Sequence, residues 1–492
     1  MKIYLLNPPY FPHFGRGARW QDTGRGGTLY YPIWLSYAAA VVEQDHEIRL
    51  VDAPAWNWNI NDVVADLTKF KPYLVVIDSS FPSLNNDINV AKSIKQNCYD
   101  IATVLVGPPS SQFPGEILEK EGIDIVARWE YDFTIRDIAR VLEVNGDLST
   151  IEGISYKEDD KIKHNQNREL TNSAELERIP FVSKVYKNHL DIKDYFLGQS
   201  LYPEVQIFAG RGCPNRCTFC SWPQTLMGRK YRVRSVANVL DELEWVQDNL
   251  SDVKEIFFED DTFTISNRRM MEFIKGYKER KLDVTWACNA RVDTLDQETM
   301  KEMKRANCRL LIAGCESGSD EILNNINKGI TTGQIKQFSN NAKKAKLLVH
   351  GDFIVGLPGE TRDTVELTRK LINEIKPDIL QVSVASPFPG TEFYDYCREN
   401  GYLLTEDPNE YLDEEGHQKA VISYPELTNE EMVREADKIL KDYYLSVSYV
   451  PVAIGQVVRR NGLEEARRLY FSVKMFLAYL KGRRNENRSI GT

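Results

Sequence analysis

Short apolar runs alternate with helix-like segments over the first 150 residues of the chain. Segments such as IWLSYAAAVVEQ and NDVVADLTKF have the length and composition of helices. The runs that flank them are the length of buried strands and cover residues 2–7, 47–53, 74–80, 103–107 and 124–128. Buried strands that alternate with helices predict an α/β fold with a doubly wound parallel sheet for residues 1–150.

Polar or turn-forming residues stand at the carboxyl ends of these five runs. They are Asn7, Asp52, Ser79, Gly107 and Arg128. In a doubly wound sheet a ligand binds beyond that edge. Two interpretations stay open at this point: a ligand site, or the ordinary turns of a structural domain.

Residues 151–200 predict a hairpin followed by a polar connector. The stretch GISYKEDDKIKHN, residues 153–165, has the pattern of two short strands joined by a turn at Glu158-Asp159-Asp160. The connector then leads to the next regular segment.

A second alternation of strands and helices occupies residues 201–402. Its six apolar runs are VQIFAG, EIFFED, VTWACN, LLIAGCE, VHGDFIVG and ILQVSVAS. Six such strands with intervening helices predict a partial parallel (β/α)6 barrel. The alternation stops near Asn400, so residues 403–492 are expected to form a mostly helical C-terminal domain with a basic tail.

Composition and charge narrow the class of protein. The 492 residues are 42% hydrophobic and 27% charged, and no run of about eighteen apolar residues predicts a transmembrane helix. Eight cysteines in a long chain of cytoplasmic type indicate reduced thiols and metal binding, not disulfides. The net charge of −10 argues against nucleic acid as a partner.

The end of the chain has the opposite charge. Residues 455–492 contain nine Lys or Arg and three Glu, and LYFSVKMFLAYL, residues 469–480, is nearly apolar between basic pairs. This pattern fits a terminal helix docked on the protein, or contact with a membrane surface or a lipid substrate. The second interpretation would place the protein peripherally at the inner membrane face.

Three cysteines lie within eight positions of RGCPNRCTFCSWPQ, after the first predicted barrel strand. A zinc site would need a fourth ligand, and no further Cys or His stands within twenty residues of Cys213, Cys217 or Cys220. Thiolates are the usual ligands of iron–sulfur clusters. Three of them on a four-iron cluster leave one iron free to bind a small molecule.

The CxxxCxxC spacing resembles the signature of the radical S-adenosylmethionine (radical SAM) superfamily. That resemblance implies a [4Fe-4S] cluster whose open iron chelates S-adenosylmethionine and whose electron releases a 5′-deoxyadenosyl radical. Phe219 matches the aromatic residue that the superfamily favours beside the last cysteine. A ferredoxin or flavodoxin is the electron donor that the resemblance implies.

Later strand ends resemble the superfamily's S-adenosylmethionine contacts. FFEDDTF resembles the segment that binds the methionyl ammonium, CNARVD suits its carboxylate, and GCESGSD suits the ribose. GDFIVGLPGET and SPFPGTEFY resemble the segments near the adenine. The candidate residues are Glu259, Asp260, Asp261, Asn289, Arg291, Glu316, Ser317, Ser319, Ile354 and Pro387.

Other residue groups allow more than one interpretation. The irregularly spaced Cys288, Cys308, Cys315 and Cys397 are either ligands of a second cluster or, as we expect, buried free thiols. The turn GRKYRVRS, residues 228–235, either faces a phosphate or sugar hydroxyls or is a solvated basic turn.

A doubly wound domain before such a barrel resembles the cobalamin-binding radical SAM enzymes over residues 2–402. Classical cobalamin domains hold the lower face of the corrinoid with the histidine of a DxHxxG motif. His13 and His46 lack the Asp and Gly partners of that motif. The domain therefore either binds cobalamin without that ligand or only shapes the substrate pocket.

Several stretches resemble the hopanoid-associated radical enzymes of cyclitol-ether synthesis and archaeal calditol synthase most closely. They include CTFCSWPQTLMGRKYRVRS, FVSKVYKNHLDIKDYFLG and ILNNINKGIT. That resemblance implies an isomerase or cyclase that contracts a lipid-linked sugar or polyol to a cyclopentane head group in membrane-lipid biosynthesis. The alternatives are a cobalamin-dependent methyltransferase and a non-enzymatic iron–sulfur or zinc scaffold.

Overall fold

The N-terminal domain is built on a seven-stranded sheet. The computed structural model describes residues 1–19, 21–24, 27–98, 100–458 and 462–474. The parallel strands are β1 (Lys2–Asn7), β2 (Glu47–Asp52), β3 (Leu74–Asp78), β4 (Ala102–Val106) and β5 (Ile125–Ala127). They lie in the order β2-β1-β3-β4-β5, which confirms the doubly wound sheet and puts its switch point between β1 and β3.

Helices cover both faces of this sheet. They are α1 (Ile33–Val42), α2 (Ala53–Trp56), α3 (Ile60–Phe70), α4 (Leu84–Asn97), α5 (Pro108–Gln112), α6 (Pro114–Glu119) and α7 (Asp132–Glu143). Every residue of α1 is buried, as expected for a helix that is apolar all round. The indole of Trp34 in α1 packs 5.0 Å from the ring of Phe208 of the second domain. Helix α1 therefore joins the two domains in one core.

The predicted hairpin is present and extends the sheet. Strands β6 (Ile154–Glu158) and β7 (Lys161–His164) pair antiparallel, and β6 pairs antiparallel with β5. Asp159 and Asp160 form the turn with positive φ, a conformation that Asp tolerates better than most residues. Two short helices follow in the connector, α8 (Ser173–Arg178) and α9 (Val182–His189).

The second domain is an open parallel barrel, as predicted. A two-stranded antiparallel pair, β9 and β10, flanks the cysteine loop, and the other six strands run in the order β15-β14-β13-β12-β11-β8. Strands β8 and β15 are unpaired edges, so the barrel has a lateral gap. The strands are β8 (Glu204–Ile207), β9 (Gly210–Arg211), β10 (Arg232–Val233), β11 (Glu255–Phe258), β12 (Thr285–Ala290), β13 (Cys308–Glu316), β14 (Leu348–Val355) and β15 (Ile379–Val384).

Helices alternate with these strands, and all of them except α10 begin at a side-chain cap. The side chains of Ser235, Ser266 and Thr361 accept backbone N–H groups of the first turns that follow them. The helices are α10 (Ser221–Thr225), α11 (Val236–Asn249), α12 (Asn267–Glu279), α13 (Gln297–Arg305), α14 (Asp320–Asn325), α15 (Thr332–Ala345), α16 (Arg362–Ile375) and α17 (Glu392–Glu399).

Within the described residues, the α-helices of the C-terminal region begin only at Asn429. Residues 403–428 are mostly irregular, with isolated bridges such as Leu403 to Ile422. Helices α18 (Asn429–Tyr444), α19 (Val450–Val457) and α20 (462–474) follow. The rest of the predicted basic tail, residues 475–492, lies outside the described residues. Within the described ranges, no helix is long and apolar enough to cross a bilayer.

Buried ion pairs fasten the two domains together beside the cysteine loop. Arg211 donates to both carboxylate oxygens of Asp132, at 2.6 and 3.0 Å, and Arg232 does the same to Glu130, at 2.6 and 2.9 Å. Arg234 pairs with buried Glu242 at 2.5 Å. Arg232 and Arg234 belong to the basic turn, residues 228–235. Both are held in buried ion pairs, so at these two positions the turn is neither solvated nor directed at a phosphate.

Candidate functional site

The cysteine loop follows β8 at the carboxyl end of the barrel. Cys213, Cys217 and Cys220 all line one cavity of about 180 Å³, which we call the cluster cavity. Gly212 has φ of +87°, and a Cβ there would lie 2.3 Å from the carbonyl oxygen of Lys230. Only glycine allows the chain to turn so closely into the first cysteine.

The three thiols fit an iron–sulfur cluster better than a single ion. All three are free, and none of the described residues forms a group of three or more Cys, His, Asp or Glu compact enough to surround one ion. Three free thiols on one cavity suit a cluster, whose usual ligands are thiolates. The amide of Asn215 donates to the sulfur of Cys213 at 3.3 Å, and Phe219 forms part of the same wall.

The three acidic residues after β11 have different roles. Asp261 lines the cluster cavity, and Glu259 is buried behind it. Asp260 is used structurally, because it accepts the backbone N–H of Ala209 and the hydroxyl of Tyr231, both at 2.7 Å. Burial raises the pKa of Glu259 to about 7 and that of Asp260 to about 6.

Arg19 is a site residue that the sequence analysis missed. It lies in the loop between β1 and α1, lines the cluster cavity, and has its guanidinium 4.2 Å from the ring centroid of Trp222. It donates to Asp261 at 3.1 Å and to Glu259. Each carboxylate keeps one buried oxygen, Oε2 of Glu259 and Oδ2 of Asp261, without a partner among the described residues. Of the two residues, Asp261 lines the cavity, so its free oxygen is an acceptor left for a cationic ligand group.

The opposite wall of the cluster cavity carries paired charges. Asn289, Arg291 and Glu316 line the cavity, as predicted, together with Lys328, which the sequence analysis also missed. Lys328 donates to Glu316 at 2.5 Å, and Arg291 is bidentate to Asp293 at 3.0 and 3.1 Å. The charges on this wall are therefore held in fixed positions.

Of the remaining residues predicted to contact S-adenosylmethionine, only some line the cavity. Ile354 lines it, whereas Pro387 does not, although its neighbours Ser386 and Phe388 do. Ser317 lies behind the wall against Thr368, and Ser319 caps α14. These two serines and Asp260 are therefore placed as structural residues by their hydrogen bonds.

The other cysteines do not form a second ligand group within the described chain. Cys288, Cys308, Cys315 and Cys397 are free and buried, and none of them lines the cluster cavity. They pack in the main core, as expected for small apolar side chains.

The carboxyl edge of the N-terminal sheet carries unpartnered polar groups. Arg16 crosses the switch point, where it donates to Asn7 at 3.0 Å and to Asp87 at 2.6 Å. Beside it the hydroxyls of Ser79 and Tyr131 are buried and have no hydrogen-bond partner among the described residues. A buried hydroxyl normally has a partner, so this edge fits a polar ligand such as the nucleotide part of cobalamin.

Neither N-terminal histidine is placed as in a classical cobalamin domain. Nδ1 of His46 lies 3.2 Å from the amino terminus, at the opposite edge of the sheet. His13 is exposed in the loop after β1. His13 therefore lies on the carboxyl side of the sheet, but outside a DxHxxG motif.

Comparisons with known proteins match both domains. A model of the radical SAM superfamily matches residues 207–372, and a model of the B12 binding domain matches residues 23–138. An uncharacterized methyltransferase of Pyrococcus horikoshii is 31% identical over 465 residues, which cover 94% of this chain and 96% of that protein. The hopanoid C-3 methylase of Methylococcus capsulatus is 26% identical over 390 residues, 76% of this chain and 70% of that one.

A solved structure shares the whole architecture. The radical S-adenosylmethionine methyltransferase TsrM of Kitasatospora setae, with cobalamin and a [4Fe-4S] cluster bound, matches 97% of this chain and 99% of its own with a TM-score of 0.69. At 15% identity this likeness establishes the fold.

The similarity to the Pyrococcus protein covers 94% of this chain, so it includes most of both domains. The two family models support the [4Fe-4S] cluster and S-adenosylmethionine that were predicted, and they favour cobalamin, which the sequence left open. The expected sugar contraction finds no support, because neither curated relative is described as a ring-contracting enzyme. The chain belongs to the radical SAM superfamily and carries the N-terminal B12-binding domain of its cobalamin-dependent members.

Proposed function

We propose that this protein is a cobalamin-dependent radical SAM methyltransferase. The observation that carries the proposal is a match along nearly the whole chain to a methyltransferase, combined with three thiols that line one cavity beside two unsatisfied carboxylates. When bound, the cluster supplies the electron that cleaves S-adenosylmethionine, and cobalamin supplies the methyl group. This proposal replaces the ring contraction that the sequence resemblance favoured.

The residues of the cluster cavity divide the work of holding these groups. Cys213, Cys217 and Cys220 hold the cluster. Asp261 presents to the cavity the acceptor that an ammonium group requires, and Arg19 holds both Asp261 and the buried Glu259 behind it in place. The sites of Asn289, Arg291 and Glu316 suit the carboxylate and hydroxyl groups of the same ligand.

Isotope labelling separates methyl transfer from ring contraction. The reconstituted protein is incubated anaerobically with candidate substrates and with S-adenosylmethionine that carries a trideuterated methyl group. Methyl transfer predicts S-adenosylhomocysteine and a product that retains the three deuterons. A product of unchanged mass, with 5′-deoxyadenosine and without S-adenosylhomocysteine, would instead establish an isomerase, and a reaction lacking S-adenosylmethionine is the control.

We also propose that the protein contacts an anionic membrane surface and that its substrate is lipid-linked. Large apolar side chains are exposed along the C-terminal helices: Leu445, Val447, Val450, Ile454, Val458, Leu463, Tyr470, Phe471 and Val473. They stand in the basic end of an acidic chain, a combination that favours anionic lipid. Sedimentation with vesicles of phosphatidylglycerol, compared with vesicles of phosphatidylcholine, measures this contact.

The ferredoxin or flavodoxin donor stays a prediction from the family resemblance.

A further inference from the structure

A second and larger cavity lies in the lateral gap of the barrel. It has a volume of about 350 Å³, within the range of sites for small organic molecules, and we call it the lateral cavity. All of β15 lines one side, and Gly198 and Gln199, which lead into β8, line the other. The loop before α1 contributes Tyr30, while α18 and α20 close the outer side.

The lateral cavity adjoins the cluster cavity. Gln381 and Ser383 of the edge strand β15 line both. On the neighbouring strand β14, Asp352 lines the cluster cavity, and His350, two residues earlier on the same face, lines the lateral cavity. Nε2 of His350 lies 3.2 Å from Oδ1 of Asp352. A molecule in the lateral cavity therefore reaches the groups that border the cluster cavity.

His350 is a buried polar residue that contacts the carboxyl group of Asp352 without forming a hydrogen bond to it. It is 5% exposed, and neither of its ring nitrogens has a hydrogen-bond partner among the described residues. Burial lowers the pKa of its imidazole to about 3, so the neutral ring offers one donor and one acceptor. A buried polar group of this kind normally meets a partner, and here it borders a cavity. A hydroxyl group is a matching partner because it donates and accepts at once.

The outer part of the lateral cavity is apolar and opens at the surface. Leu440 and Leu445 from the α18 end and Leu469 and Val473 from α20 line it. Leu445 is 65% exposed and Val473 is 54% exposed, which places the mouth at these side chains. Apolar side chains at an open mouth favour a hydrocarbon group.

The only cation that lines the lateral cavity within the described chain is neutralised. Arg468 donates to Glu465 at 2.8 Å, and Glu465 also accepts from the buried Arg309 at 2.8 Å. This network anchors α20 over the barrel and leaves the cavity without a free positive charge for a phosphate or carboxylate group. The geometry thus disfavours an anionic group inside the cavity.

We propose that the lateral cavity binds the acceptor substrate, and that this substrate is amphipathic: a hydroxyl-bearing group contacts His350, Asp352, Gln381 and Ser383, and a hydrocarbon part lies under α20. The assignment of the bound molecule as the acceptor rests on the proposed methyltransferase function. His350 is a positioning residue in this scheme, since it selects the hydroxyl end.

A photoaffinity probe tests the site on the reconstituted holoprotein. The probe is a long-chain primary alcohol that carries a diazirine and an alkyne, and the matched probe lacks the hydroxyl group. We expect labelled peptides to contain residues 440–445 and 469–473, and the alcohol to bind more tightly than the hydrocarbon. Labelling elsewhere, or equal binding of the two probes, would overturn the proposal.

Paired variants on one helix sharpen the test. Leu469→Trp fills the cavity and is expected to weaken alcohol binding at least about tenfold, a loss of about 1.4 kcal/mol. Tyr470→Trp, one residue on and 66% exposed, is the matched control and should bind as the wild type does. Unchanged binding in the Leu469→Trp protein would contradict the assignment.

Variants of His350 test its selectivity separately. His350→Phe should reduce the affinity for the alcohol to that for the hydrocarbon, whereas His350→Gln, which keeps a donor and an acceptor, should preserve the difference. Circular dichroism checks that both His350 variants fold. If His350→Phe does not fold, the comparison of Leu469→Trp with Tyr470→Trp still tests whether the lateral cavity binds the alcohol. Probe binding without methyl transfer would refute the proposed function alone. Methyl transfer to a substrate that does not compete with the probe would refute the lateral site alone.

Discussion

The cluster cavity and the lateral cavity share two residues but differ in how their polar groups are held. In the cluster cavity nearly every charge has a fixed partner: Lys328 with Glu316, Arg291 with Asp293, and Arg19 with Asp261. In the lateral cavity the buried His350 forms no hydrogen bond among the described residues, and its Nε2 lies 3.2 Å from Oδ1 of Asp352.

The difference teaches how this chain separates cofactor from substrate. Charged groups in a buried site are costly unless they are paired, so a site for a charged ligand is built from groups already held in place. A site for an amphipathic molecule needs apolar area and one unsatisfied polar group. The two kinds of wall meet at Gln381 and Ser383, where the two ligands are expected to approach each other.

The largest effect is expected from the cysteines of the cluster cavity. Cys217→Ala removes one of three ligands, so the anaerobically reconstituted protein should lose its iron–sulfur absorption and all activity. Iron and sulfide analysis measures this directly. Cys98→Ala, in the N-terminal domain and away from the cavity, is the control and should retain both. A Cys217→Ala protein with a full cluster would remove the basis of the cavity's assignment.

A smaller effect is expected where the N-terminal domain supports the wall of the cluster cavity. Arg211 and Asp132 are both fully buried, and Arg211→Met leaves the carboxylate of Asp132 without its bidentate partner. We expect a loss of about 3–5 kcal/mol in the free energy of unfolding, measured with denaturant.

The control for this variant is an ion pair on the surface. Arg140 pairs with Asp45 at 2.7 Å, but both side chains are about half exposed, so Arg140→Met should leave the unfolding midpoint unchanged. Equal effects of the two substitutions would show that burial does not decide the strength of these pairs.

The last prediction concerns the pH dependence that Asp352 imparts, because this residue stands between the two cavities. Burial raises the pKa of its carboxyl from 3.8 to about 8. Between these values the folded protein keeps a proton that the unfolded chain has lost, so the contribution of Asp352 to stability falls as pH rises and levels off above about 8. Asp352→Asn does not titrate, and its gain in melting temperature over the wild type should grow from pH 5 to pH 8. A gain that is constant with pH would show that Asp352 is ionised in the folded protein.

The sequence predicted best where a residue's role follows from its neighbours in the chain. The strands of both sheets, the hairpin turn at Asp159-Asp160 and the cysteine loop were all predicted, because periodicity and motif spacing are local properties. The irregular segment 403–428 was not predicted, since it consists of turns held by distant contacts such as that of His417 with Thr23.

The site was predicted only in part for the same reason. Arg19 is separated from Asp261 by more than two hundred residues, and no local signal connects them. Asp260 and Ser317 stand in the expected motifs, but their hydrogen bonds to Tyr231 and Thr368 turn them away from the cavity. A motif gives the residue types near a strand end, whereas packing determines which of them face the ligand.

The sequence by itself determined the order of the two α/β units and the three cysteines that line the cluster cavity, because both are encoded in short, local patterns. The tertiary structure alone decided that an arginine from the first domain completes the acidic wall of the second, and that the chain's last described helix closes the barrel's gap. These features depend on long-range burial and charge pairing, which come into being only when segments distant in sequence pack together.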